Sequence, residues 1–186
     1  MNGEGSEPGK PRGSPVVLLV VGAVVALAVA GLVAAVAASV LSARQKAVAR
    51  QAELRRSGTA AALALAARGE ALVAEYLKRD PSQPWQPVKI DLAEIDPEGR
   101  LGIAEAVVLL GPTLVGSSDP ALPPGMLSSG FSEPSEDPRV EVIRGTARRS
   151  TPTGSRTTTA LQFNVDVPAA GETVQGSAWL VVPLQR

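Results

Sequence analysis

The side chains best spaced to do chemistry are acidic. From Glu94 to Glu105 the chain reads EIDPEGRLGIAE, and Glu94, Asp96, Glu98 and Glu105 fall on positions 1, 3, 5 and 12 of a helix–loop–helix calcium loop, with Gly99 at position 6. Oxygen ligands at that spacing can wrap a hard divalent cation. The first position of such a loop calls for Asp, Pro97 stiffens the turn, and no matched helices flank it. The segment therefore reads as an acidic turn between two strands.

Other routes to catalysis are closed by composition. The 186 residues include no histidine and no cysteine, which removes disulfides, thiolate chemistry, imidazole or thiolate metal sites and histidine acid–base work. Serine hydroxyls are plentiful, but no base is marked out as their partner, and no glycine-rich phosphate loop opens a helix. The reading is of a protein that is not an enzyme, with no catalytic, cofactor-binding or metal-binding residue assigned. Lys plus Arg and Asp plus Glu number 18 each, so no global field argues for nucleic acid. Five aromatic residues, Tyr76, Trp85, Phe131, Phe163 and Trp179, are too few for a base-stacking platform.

The element that positions everything else is apolar. Pro15 to Leu41 is a run of 27 residues with no charge and one polar side chain, Ser39. About 20 apolar residues rising 1.5 Å each cross a hydrocarbon core of roughly 30 Å. The run is long enough to span a membrane as a tilted helix. Residues 42–79 continue it with strong helix formers and no proline before Pro81. Within them Leu54, Gly58, Ala61, Leu65, Gly69, Leu72 and Tyr76 recur in steps of three and four, which is one face of a helix. That stripe is narrow and rich in small residues, suited to lying against a sheet or a second helix. Gly58 and Gly69 mark a close backbone approach, a bend where the stalk leaves the membrane, or sequence drift that an alanine-rich helix tolerates. The basic residues Arg44, Lys46, Arg50, Arg55 and Arg56 read as a solvated helix face, with contact to lipid headgroups as the other possibility.

After Pro81 the period changes from 3.6 to 2. Leu161, Phe163, Val165 and Val167 alternate with Gln162, Asn164 and Asp166, a strand with one buried and one wet face. Arg139–Arg148 pairs with it as an antiparallel neighbour across a turn centred on Pro152 and Gly154. Gly176–Leu184 and Ala104–Leu110 read as further strands, and Pro87–Asp91 as a shorter one. Pro183 fits only a strand end or an edge. The expected fold is α+β: a transmembrane helix continuing as a stalk packed on a small, mainly antiparallel sheet of four or five strands. Residues 112–138 hold Pro112, Pro120, Pro123, Pro124, Pro134 and Pro138 and are expected to form no regular element. The domain plan is residues 1–14 as a flexible leader or cytoplasmic tail, 15–41 as the spanning helix, 42–79 as the stalk and 80–186 as a β-rich head.

The N-terminal residues carry a resemblance. Arg12-Gly13-Ser14, then PVVLLVVGAVVALAVAGLV, then a charged helix and a small β-rich region, resembles the PilX-like minor type IV pilins and the related pseudopilins. The likeness covers the whole chain in architecture and residues 10–79 in sequence. It implies a leader ending at Gly13, cut by a prepilin peptidase between Gly13 and Ser14, and a mature apolar helix that packs into a filament core. Where most pilins have Phe and Glu after the cut, this chain has Ser14 and Leu18. Two other readings stay open. One is a cleaved secretory signal ending at Ala35-Val36-Ala37, for which the apolar run is long. The other is a plain signal anchor on an envelope protein whose head binds a partner or a cell-wall component. The basic residues after the run favour a cytoplasmic stalk by the positive-inside rule, whereas a pilin exports it, and long domains translocate largely regardless of charge. The expected setting is the bacterial inner membrane with an extracytoplasmic head, possible incorporation into a pilus, and the bilayer and other pilin-like subunits or envelope proteins as partners.

Overall fold

A computed structural model describes residues 15–121, 127, 130–151, 154–169 and 175–184. The chain divides into two compact units, Met1–Arg50 and Gln51–Arg186. One helix, α1 (Pro15–Lys78), contributes to both. Gly13 and Ser14, the proposed cleavage residues, lie outside the described residues, as does Pro152.

In the first unit α1 shows its apolar side chains to the surroundings. Leu19, Leu27, Leu32 and Val33 are all more than 60% exposed. A window of this helix is long and apolar enough to cross a membrane.

The second unit, here called the head, is a seven-stranded mixed sheet with the later part of α1 on one face. Its strands are β1 (Val88–Lys89), β2 (Glu105–Leu110), β3 (Thr113–Ser117), β4 (Gly130–Glu133), β5 (Val140–Thr151), β6 (Gly154–Val167) and β7 (Gly176–Pro183), in the order β1-β3-β2-β7-β6-β5-β4. Every pairing is antiparallel except β1 with β3, which is parallel. A four-residue helix, α2 (Leu92–Ile95), follows β1, with the Asp91 carboxylate capping its start by accepting from Ala93 N at 3.0 Å.

The sheet is larger than the four or five strands expected. The additional strands β3 and β4 come from the stretch read as irregular because of its prolines. Pro123 and Pro124 lie outside the described residues, and the other four prolines sit outside the strands: Pro112 precedes β3, Pro120 follows it, Pro134 follows β4 and Pro138 precedes β5. The ladder therefore loses no donor to them. Pro183 obeys the same logic at the end of β7. Leu184 N donates to Thr159 O at 2.8 Å, so by alternation the nitrogen of Pro183 faces the β2 side, where pairing has ended at Glu105–Val181.

The main core lies between α1 and the sheet. Ala61, Ala62, Leu65, Ala66, Leu72 and Val73 meet Val108, Val142, Leu161, Phe163, Val165 and Leu180, all buried. The expected stripe is the face in contact. Both glycines on it are close approaches: a Cβ on Gly58 would sit 2.2 Å from the Phe163 ring, and one on Gly69 would sit 3.1 Å from Val167. Small residues let the helix axis settle onto the bulky β-branched and aromatic surface of β6.

The opposite sheet face is not uniformly wet. Val107, Ala160, Trp179 and Val181 form a second buried cluster, with Leu109, Leu114 and Leu127 packed against it. Gln162, expected on the solvated side of β6, is only 3% exposed. The cause is topological. The chain must pass from β3, near one edge, to β4 at the other, and on the way Leu127 lies over this face with its N–H donating to Gln162 Oε1 at 3.3 Å.

Candidate functional site

The carboxylates of the acidic segment are engaged within the chain. Both carboxylate oxygens of Asp96 accept backbone N–H groups, from Arg100 at 3.2 Å and Leu101 at 2.8 Å. Glu98 pairs with Arg100 at 2.5 Å, and Glu94 pairs with Arg68 of α1 at 3.5 Å. Gly99 and Gly102 take positive φ, 63° and 59°, which the reversal needs. The turn follows α2 instead of joining two strands directly. Among the described residues, no group of three or more Asp, Glu, His or Cys side chains is placed to hold a metal ion. The concavities beside the turn, lined by Leu92, Pro97, Gly102 and Ile103 on one side and by Ser57, Ala60 and Leu101 on the other, are shallow surface depressions.

The most organised polar cluster fastens the helix to the far edge of the sheet. Glu133 of β4 accepts from Arg55 of α1 through one oxygen and from Arg144 of β5 through the other. Gln51, with its amide oxygen turned toward the guanidinium groups, accepts from both, at 3.1 Å from Arg55. The side chain of Glu133 is 15% exposed. Burial raises its pKa, and the hydrogen bonds from Arg144 and Arg55 outweigh that and hold it below the ordinary glutamate value. Arg56 adds an exposed pair with Glu136 at 3.0 Å, worth little in stability. Sequence reading missed this clamp because its members lie 78 and 11 residues apart; only the register Glu133↔Val142, which places Glu133 one strand from Arg144, brings them together.

Beyond the clamp, β4 is the last strand of the sheet, and among the described residues nothing pairs with its outer side. Phe131, two residues before Glu133, is a large apolar side chain that is 77% exposed. At the opposite end of the helix–sheet seam, α1 is closed by a packed aromatic corner. The Tyr76 and Trp85 rings meet edge to face at 5.2 Å, and Arg79 lies 4.3 Å over Tyr76. Trp85 Nε1 donates to Val115 O at 3.1 Å, and Arg79 donates to Gln83 O at 2.6 Å.

Three features stand out among the described residues: an apolar helix, a clamped helix–sheet seam, and a sheet edge carrying an exposed phenylalanine. Compared with known protein families, with curated proteins and with solved structures, the chain has no match.

Proposed function

We propose that the chain is a membrane-anchored, non-catalytic subunit of the minor-pilin or pseudopilin type, which joins or primes a filament or secretion machine assembled from the bacterial inner membrane. The observation that carries the reading is the division of labour along α1. Its first part is apolar and exposed on every side, while its later part is seated by small residues on an antiparallel sheet. A helix of that kind holds a subunit in a bilayer and later exchanges lipid for neighbouring helices, because both are equally apolar and close packing decides the exchange. The head is extracytoplasmic in this reading and offers its open edge to other subunits.

The test is the mature N-terminus of the protein recovered from membranes. The reading expects Ser14, the product of cleavage after Gly13; a chain beginning at Met1 or at Ala38 sinks it. The exposed Phe131 on the β4 edge favours a second reading, a signal-anchored envelope protein whose head binds a partner by strand addition. In that case the intact N-terminus persists, and Phe131→Ala abolishes partner capture.

A further inference from the structure

Two buried donors beside the Glu133 clamp have no acceptor. Arg55 Nε and Thr59 Oγ1 are both shut off from solvent, and neither meets a hydrogen-bond partner among the described residues. Thr59 as a whole is only 6% exposed. The two residues are one turn apart on α1, so they stack on one face of the helix with Cβ atoms about 5–6 Å apart. Native interiors seldom leave such groups unmet, because the hydration lost on burial is not replaced. One acceptor shared between the two turns satisfies both.

The charges beside them are also out of balance. Arg55 and Arg144 share a single carboxylate, that of Glu133, and Gln51 adds an acceptor without a charge. Glu136, three residues after Glu133, is paired with Arg56. Two guanidinium groups against one carboxylate leave one positive charge uncompensated among the described residues. The side chains that carry it are 26% and 32% exposed, so solvent screens it only in part. Water offers lone pairs to the two donors but leaves the charge. A dianion such as sulfate overshoots it. A compact, singly negative acceptor meets both demands. We infer that the Arg55–Thr59 turn of α1, with Arg144 beside it, binds a halide-sized anion, which is chloride in ordinary solution. The partial exposure of both arginines gives the ion a way in, and its binding tightens the seam between α1 and the β4–β5 edge. The site belongs to the head and is independent of anchoring and of filament assembly.

The full chain in non-ionic detergent provides the test, at constant ionic strength, with sodium chloride or bromide exchanged stepwise for sodium gluconate. Urea unfolding is followed by the fluorescence of Trp85 and Trp179, both of which lie in the head. The folded-to-unfolded ratio is expected to rise with halide and to reach about elevenfold at ten times the dissociation constant, with bromide acting like chloride. Broadening of the chloride-35 NMR line by the protein reads binding directly, and bromide reverses it. Thr59→Val keeps the side-chain shape and removes one donor. In gluconate it folds at least as well as the parent, since an unmet hydroxyl is gone, and its affinity for halide falls about tenfold. Glu133→Gln raises the uncompensated charge, so it binds halide several-fold more tightly even while it loosens the clamp. Stability and line width that ignore the exchange of halide for gluconate overturn the inference and leave the two donors to water. An undiminished halide response in Thr59→Val overturns it too, because the ion then sits on arginines elsewhere. If Thr59→Val does not fold, the line width of the parent, its reversal by bromide and its increase in Glu133→Gln still decide.

Discussion

Two stretches of one helix use glycine in opposite ways. At Gly58 and Gly69 the missing side chain is filled by the protein itself, by the Phe163 ring and by Val167 and Val108. At Gly22 and Gly31 nothing lies within 4 Å of where a Cβ would be. Both stretches are rich in Ala, Leu and Val, and composition alone does not separate them. The difference is in what completes each surface. In the head the complement is β6, encoded a hundred residues later in the same chain. In the proposed function the complement of the apolar stretch comes from outside, as lipid or another helix.

Mutations can break or sharpen that contrast. The largest effect is expected for Phe163→Ala, which empties the centre of the seam. A fully buried phenylalanine truncated to alanine costs roughly 3–5 kcal/mol, read as a lowered urea midpoint of the head. Gly58→Ala comes next. Its helix-propensity gain of about 1 kcal/mol is outweighed by overpacking against the same ring, for a net loss of about 2 kcal/mol. Because the two sites touch, Gly58→Ala combined with Phe163→Leu loses less than the sum of the single changes. Strict additivity in that cycle would remove the close-approach explanation.

Glu133→Gln should cost about 1–2 kcal/mol, since two guanidinium groups lose their shared carboxylate. The pH dependence has a definite sign. The folded-state pKa of Glu133 is depressed, so its contribution is complete above the unfolded glutamate value and is lost as pH falls through the folded one. Acid titration of the wild-type head should therefore show a stability loss below about pH 4 that Glu133→Gln diminishes. Asp137, held at about 2 by hydrogen bonds from the Arg139 side chain and backbone, titrates lower still and is half-buried.

The smallest effects complete the contrast. Gly69→Ala meets Val167 at 3.1 Å and Val108 at 3.3 Å, a crowding that shifts of a few tenths of an ångström relieve. Propensity gain and crowding nearly cancel, leaving a change within about 1 kcal/mol of zero. Gly31→Leu leaves the denaturation midpoint of the head unchanged. In the proposed function it acts only on incorporation into a filament, measured as the share of subunit that co-sediments with sheared filaments.

Much of this was legible in the residues. The stripe from Leu54 to Tyr76 is the helix face that packs, and the period-two residues of β6 face it, because a one-sided core imposes its period on the sequence. The short strands β3 and β4 were hidden: at five and four residues, flanked by prolines, they have too little length for a pattern to repeat. Gln162 misled for a related reason, since its burial depends on where a distant connection passes. The Arg55–Glu133–Arg144 clamp has no local signature at all, because its charges are common ones brought together by register.

The strand order has a consequence for how the head comes into being. β7, the last strand in sequence, is not at an edge but in the middle, with β2 on one side and β6 on the other. Until it arrives, the earlier strands can form only two separate ribbons, β1-β3-β2 and β6-β5-β4, each with an unsatisfied inner border. The sheet is therefore complete only once residues 176–183 lie between the two ribbons, and both inner borders stay unpaired until they do.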